Sequence, residues 1–174
     1  YYRFSWGDIE AINATSSQYS WAVFDYQIRY AMDNRAKFNF SVMPYFTGGA
    51  GAFTTGGALL AYPLYLHNQM QAESAKDWIS TSDGAWVQDW NSPSYLSAWT
   101  NLQNAIANHI ATTSYQPPWS SKPIPYSSVI GYIDIRSYGN YGEGHSYPWG
   151  ADAGFATHTP TYAAIKALSD VYIN

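Results

Sequence analysis

The sequence predicts an α/β protein, a (β/α)8 TIM-barrel-like fold of which about three β/α units are present, as one partial barrel domain over residues 1–174. Three observations predict it. Segments with the two-residue period of a strand alternate with segments of helical period, the order that builds parallel sheets. Polar side chains recur on one side of each strand-like segment, as they do where strands face a barrel interior. The strand-like segments are too few to reach the eight that close a barrel, so the sheet is expected to stay open.

The first residues, YYRFSW, read as a strand because β-prone aromatics alternate with Arg3 and Ser5. After a loop of Asn, Ser and Thr, WAVFDYQIRYAM sets Trp21, Phe24, Ile28, Ala31 and Met32 at helical spacing, a helix with one buried stripe. KFNFSVM then alternates strictly, with Phe38, Phe40 and Val42 on one face and Asn39, Ser41 and Met43 on the other. The Gly-rich stretch TGGAGAFTTGGALLA, residues 47–61, has neither the G-x-G-x-x-G spacing nor the lysine of a phosphate-binding loop. It reads as a long loop, either structural slack or a substrate lid. YPLYLHNQMQAESAKDWI admits a short helix of ambiguous period.

In VQDWNSPSYLSAWTNLQNAIANHI, Ser92 can cap, Pro93 fits the first helical position, and Tyr95, Trp99, Leu102 and Ile106 share a face. A Pro- and Ser-rich connection from Thr113 to Ser127 leads into VIGYIDIRS. There Val129, Ile133 and Ile135 oppose Ile130, Tyr132, Asp134 and Arg136, which predicts a buried strand carrying a charged pair. That pair fits a structural ion-pair network as well as a functional site. Thr159 and Pro160 open a closing helix with Tyr162, Ile165, Leu168 or Ser169, and Tyr172 along one side. Arg3, Ser5, Asn39, Ser41, Asp134 and Arg136 would then share the barrel interior.

Composition narrows the function. Only 11% of residues are charged and 18% are aromatic, so hydroxyls and amides must solvate much of the surface. Rings with apolar faces and polar tips suit both a core and a sugar platform. The net charge of −4 offers no basic field for nucleic acid, and no apolar run is long enough to span a bilayer. The absence of cysteine excludes disulfides, a thiol nucleophile and a thiolate metal site. His67, His109, His145 and His158 show no metal-ligand spacing, so neither a metal nor a cofactor is expected. The sequons Asn13-Ala14-Thr15 and Asn39-Phe40-Ser41 are too common by chance to decide a compartment. A chain beginning at Tyr1 without Met or leader predicts a processed, excised or incomplete product. The expected setting is extracellular or periplasmic.

One carboxylate, Glu143, stands in IDIRSYGNYGEGH just past the end of a strand-like run. With YYRFSWGDIEA, the WAVFDYQI helix and VQDWNSPSYLSAW, this stretch resembles the clan A glycoside hydrolases, in particular the barrel proteins related to the β-galactosidase and cellulase families. The resemblance implies that the chain forms roughly the second to fourth units of a (β/α)8 barrel. It also implies that Glu143 matches the acid/base glutamate after the fourth strand, while the nucleophile, after the seventh, lies outside this chain. Three positions depart from the pattern. Gly142 stands where the clan carries Asn before its glutamate, Ala11 replaces the usual Pro after Glu10, and Gly144 stands where related sequences carry Trp.

Glycoside hydrolysis needs one carboxyl that keeps its proton and a second that attacks or activates water. Glu143 is therefore expected to be the catalytic acid/base, partly buried with a raised pKa. The expected substrate-binding set is Arg3, Trp6, Trp90, Asn91, Arg136, Tyr138, Asn140, Tyr141 and His145. Within it, the arginines can orient carboxylates bidentately, Trp90 can stack on a sugar and His145 can donate to a hydroxyl. Two functions follow. One is a hydrolase-like protein acting on β-linked polysaccharide; the other is a non-catalytic carbohydrate-binding or self-assembling structural protein built on a partial barrel. Carbohydrate is the expected ligand, and a homo-oligomer or a missing barrel segment the expected partner.

Overall fold

In the computed structural model, which describes residues 1–45, 53–152 and 155–173, three strands lie parallel in chain order: β1 (Tyr2–Ser5), β2 (Phe38–Met43) and β3 (Ile130–Ile133). Four helices accompany them: α1 (Ala22–Asp33), α2 (Leu64–Gln71), α3 (Pro93–Thr112) and α4 (Tyr162–Asp170). The α1 helix returns the chain from β1 to β2, and α3 lies on the longer path from β2 to β3. The architecture is mixed α/β with small sheets, and among the described residues the parallel sheet is open rather than a closed barrel.

The core forms between the sheet and the helices, where the period-two and helical stripes meet. Phe24 of α1 packs on Phe4, Phe38 and Phe40, with ring centroids 5.1, 6.0 and 5.3 Å away. Further along the chain Trp99 of α3 stands edge-on to Trp6 at 5.4 Å, beside Tyr95. All of these rings are buried, and each large side chain removed from water contributes about 2–3 kcal/mol. The predicted stripes on α1 and α3 are the buried ones, and Ser92 caps α3 with Pro93 in its first turn. Short ladders close the connections, Trp78–Ile79 against Trp86–Val87 and Ser114–Tyr115 against Ile124–Pro125.

Of the Gly-rich stretch, residues 47–52 lie outside the described residues. The remainder turns through Gly56 and Gly57, both at positive φ, into a ladder of Thr54–Thr55 with Ala58–Leu59.

Two predicted elements differ. The run VIGYIDIRS was expected to be a buried strand; instead β3 is short and lies at the edge of the sheet, with Ile133 41% and Ile135 50% exposed. The alternation also breaks, because Ile130 pairs with Phe38 but Ile133 pairs with Phe40, one residue too many on β3. Gly131 sits against the Asn39 side chain, and Asn39 Oδ1 accepts from the Tyr132 amide at 2.9 Å, replacing a ladder bond lost at this irregularity. Ile130 thus joins the Phe38 face rather than the Tyr132 face. The closing helix begins at Tyr162 with Thr161 as its cap, later than the expected start at Thr159 and Pro160. Its buried positions are Ala164 and Leu168, while Tyr162 is 81% exposed.

Candidate functional site

Catalytic and binding groups of parallel α/β sheets collect beyond the carboxyl ends of the strands, and Glu143 lies there, in the loop after β3. The loop is wound tightly. Gly142 N–H bonds Gly139 O at 3.0 Å, Glu143 N–H bonds Asn140 O at 3.1 Å and Gly144 N–H bonds Tyr138 O at 3.0 Å. Gly142 has φ of +70° and is packed so closely that a Cβ would stand 2.6 Å from Arg136 Cβ and 2.8 Å from Pro44 Cδ. A side chain therefore does not fit before Glu143 in this loop.

On the face of the sheet away from Phe24, polar residues of all three strand segments converge. Arg136 donates from Nη1 to Glu143 Oε1 at 2.5 Å and from Nε to Asp134 Oδ2 at 2.8 Å. Arg136 Nη1 also reaches the Tyr141 carbonyl at 3.1 Å, which Tyr141 presents from a left-handed conformation with φ of 55°. Arg3 Nη1 lies 3.4 Å from Glu143 Oε1, and His145 Nε2 lies 3.7 Å from Oε2. Tyr1 reaches across β2 to donate to Asp134 Oδ2 at 2.6 Å, with Ser41 Oγ 2.9 Å from the same hydroxyl.

These contacts set the protonation states. The hydrogen bond from Arg136 is the largest influence on Glu143 and holds its carboxyl below the ordinary value, aided by the charges of Arg136, Arg3 and His145 and opposed by partial burial. For Asp134, burial pushes upward, but the hydrogen bonds from Tyr1 and Arg136 outweigh it, and its carboxyl is also lowered. A general acid needs the opposite shift. The expected raised pKa at Glu143 is thus corrected: two arginines keep this carboxylate ionised, suited to accepting hydrogen bonds.

Two cavities of about 380 Å³ each flank the loop and share Tyr138 and Gly144 as a common wall. One has a polar floor of Asp134, Arg136 and Glu143. The other is lined by Trp90, His145, Phe155, Pro160 and Ile165. Arg3, 3.4 Å from Glu143, brings the charges around the polar floor into balance, two arginines against Asp134 and Glu143.

The remaining predicted residues divide between this site and the scaffold. Tyr138 and His145 line it. Trp90 contributes a wall but is only 1% exposed, so it offers no open stacking face. Trp6 is corrected to a core residue: it is wholly buried, and its Nε1 donates to Glu10 Oε2 at 2.8 Å. Asn91 acts as a latch, donating to Asp89 at 3.1 Å and to the Thr159 carbonyl at 3.0 Å while accepting from the Thr161 amide at 2.8 Å. Asn140 is buried and shapes the turn through its carbonyl. Asp152, outside the expected set, accepts from the Thr81 amide and hydroxyl and from Ser82, pinning its own loop. Absent from the expected set were Tyr1, which alternates with Tyr2 onto the Arg3 side, and Phe155, Pro160 and Ile165, which only tertiary folding brings to the cleft.

Among the described residues no cluster of His, Asp or Glu has the geometry to hold a metal ion, and no helix is long and apolar enough to cross a membrane. No protein-family model matches the sequence, and neither curated proteins nor solved structures show significant similarity to it.

Proposed function

We propose that the chain is a segment of a glycoside-hydrolase-like (β/α) barrel that binds β-linked polysaccharide at the carboxyl end of its parallel sheet. The observation that carries this reading is the ionised Glu143, held by Arg136 and Arg3 beside a cleft walled by Tyr138. A pyranose has hydroxyls that donate to a carboxylate and accept from a guanidinium, and an apolar C–H face that packs on a ring. Charge balance on the polar floor favours neutral sugars over uronates. Binding is preferred to hydrolysis because the lowered pKa of Glu143 leaves no proton to give a leaving group.

The hydrolase reading keeps one supporting observation, the position of Glu143 beyond the end of β3. It requires further barrel strands to bring a second carboxylate that raises the pKa of Glu143. Calorimetric titration with cello- and xylo-oligosaccharides tests binding. Glu143→Gln and Tyr138→Ala are each expected to weaken it by about tenfold, ~1.4 kcal/mol. Absence of heat with every neutral β-linked oligosaccharide at millimolar concentration removes the binding reading. Turnover of an aryl β-glycoside that is lost in Glu143→Gln establishes the hydrolytic one instead.

A further inference from the structure

A cavity of about 590 Å³ lies away from the Glu143 site and shares no lining residue with it. One wall is the start of α3, with Ser94, Ser97 and Asn101 spaced at helical intervals. The other is α2, which contributes Tyr65 and Gln69, and the loop Thr15, Ser16 and Ser17 closes one side. Every one of these eight side chains ends in a hydroxyl or a primary amide. None is charged, and the two other lining residues are Pro93 and Ala98.

The groove is held in shape at both ends of α2. The loop is tied to the first turn of α2 by Leu64 N–H to Ile12 O at 2.7 Å and Tyr65 N–H to Ala14 O at 3.0 Å. The far end of α2 is tied to α3 through Glu73, which accepts from Ser92 Oγ at 2.6 Å and from the Ser94 amide at 3.1 Å. Tyr65 is half-buried, and the fully buried Glu10 is near enough for its charge to act on the phenol. Burial first, and then the Glu10 charge, raise its pKa, so the phenol stays a neutral donor.

We propose that this groove is a second carbohydrate site, for an uncharged oligosaccharide. A polar cavity without charge offers an ionic ligand nothing to offset its lost hydration. A chain of sugar hydroxyls, in contrast, exchanges bonds to water for equivalent bonds to Ser, Thr, Asn and Gln, and the Tyr65 ring supplies one apolar face. The groove shares no residue with the Glu143 site, and its chemistry stands whether or not that site binds sugar.

Amide-resolved NMR titration of the whole chain with cellopentaose and with maltopentaose tests it. Shifts are expected at residues 15–17, 94, 97 and 101 with at least one of the two, and they persist in Glu143→Gln. Ser97→Arg and Asn101→Arg, both at exposed helical positions, are each expected to weaken those shifts by about tenfold or more. The proposal is overturned if neither oligosaccharide shifts the groove amides at millimolar concentration. It is equally overturned if both arginine variants, folded by circular dichroism, bind like wild type, or if tetragalacturonate binds as well as the neutral sugars. Shifts confined to residues 134–146 sustain the Glu143 site and reject the groove.

Discussion

Arg136 stands between two carboxylates, and its side chain is only 10% exposed, so its charge is spent on Asp134 and Glu143 rather than on solvent. A carboxyl whose pKa is lower in the folded than in the unfolded chain stabilises the fold fully above its unfolded value, about 4.3 for Glu. That contribution is lost as pH falls through the folded value. The melting temperatures of wild type and Glu143→Gln are therefore expected to differ at pH 6 and to converge as pH drops below about 4. A gap that stays constant down to acid pH would show that Glu143 is not coupled to Arg136. The sequence made this pairing half visible. Period-two alternation put Arg3, Asp134 and Arg136 on one side, but the turn that brings Glu143 back onto Arg136 depends on positive φ at Gly139 and Gly142, which alternation does not encode. A side chain at position 142 tests that geometry. Gly142→Asn tolerates the positive φ yet meets Arg136 and Pro44, and is expected to lower stability by about 2 kcal/mol in urea unfolding.

Elements were legible where their signals are local. Ser92 and Pro93 announce α3, and Ser92 Oγ accepts from the Tyr95 amide at 3.1 Å as an N-cap does. The same helix end carries a second anchor that no local pattern shows. Glu73 is nineteen residues before Ser92, and its two oxygens accept from Ser92 Oγ and from the Ser94 amide and hydroxyl. A carboxylate at this position satisfies free helix donors and meets the positive end of the α3 dipole. Glu73→Ala is expected to cost about 1–2 kcal/mol in urea unfolding, and Glu73→Gln less, because the amide oxygen keeps part of the bonding. Equal stability in all three proteins would leave Ser92 as the whole cap. β3 departs from the expected strand for a physical reason of its own. Alternation assumes an unbroken ladder, whereas the register shift opposite Asn39 moves Ile130 to the other face, and nothing in VIGYIDIRS marks that shift except Gly131.

At the scale of the molecule, three parallel strands in chain order leave β1 and β3 as edges, and the edges are unequal. β1 is bridged on its polar side by Tyr1 and Arg3, which reach Asp134 and Glu143. β3 and the residues after it expose Tyr132 at 55%, Ile133 at 41% and Ile135 at 50%. An unpaired edge with apolar side chains and no lysine among residues 129–137 invites strand addition, and with 11% charged residues overall there is little repulsion between copies. Parallel order gives the addition a direction: the β1 edge of a second copy can extend β3 and repeat the same sequence of strands, a head-to-tail contact that does not satisfy itself in one pair. The purified chain is expected to show a weight-average mass by light scattering that rises with concentration. Ile133→Lys with Ile135→Lys should restore a monomer without changing the melting temperature by more than about 2 °C, since both side chains are already about half exposed and a lysine stem can keep part of their packing. A wild-type monomer at all concentrations would mean that the β3 edge is protected on its own. Association that survives both lysines would move the contact to another surface, such as the exposed Tyr26 and Tyr30 on α1.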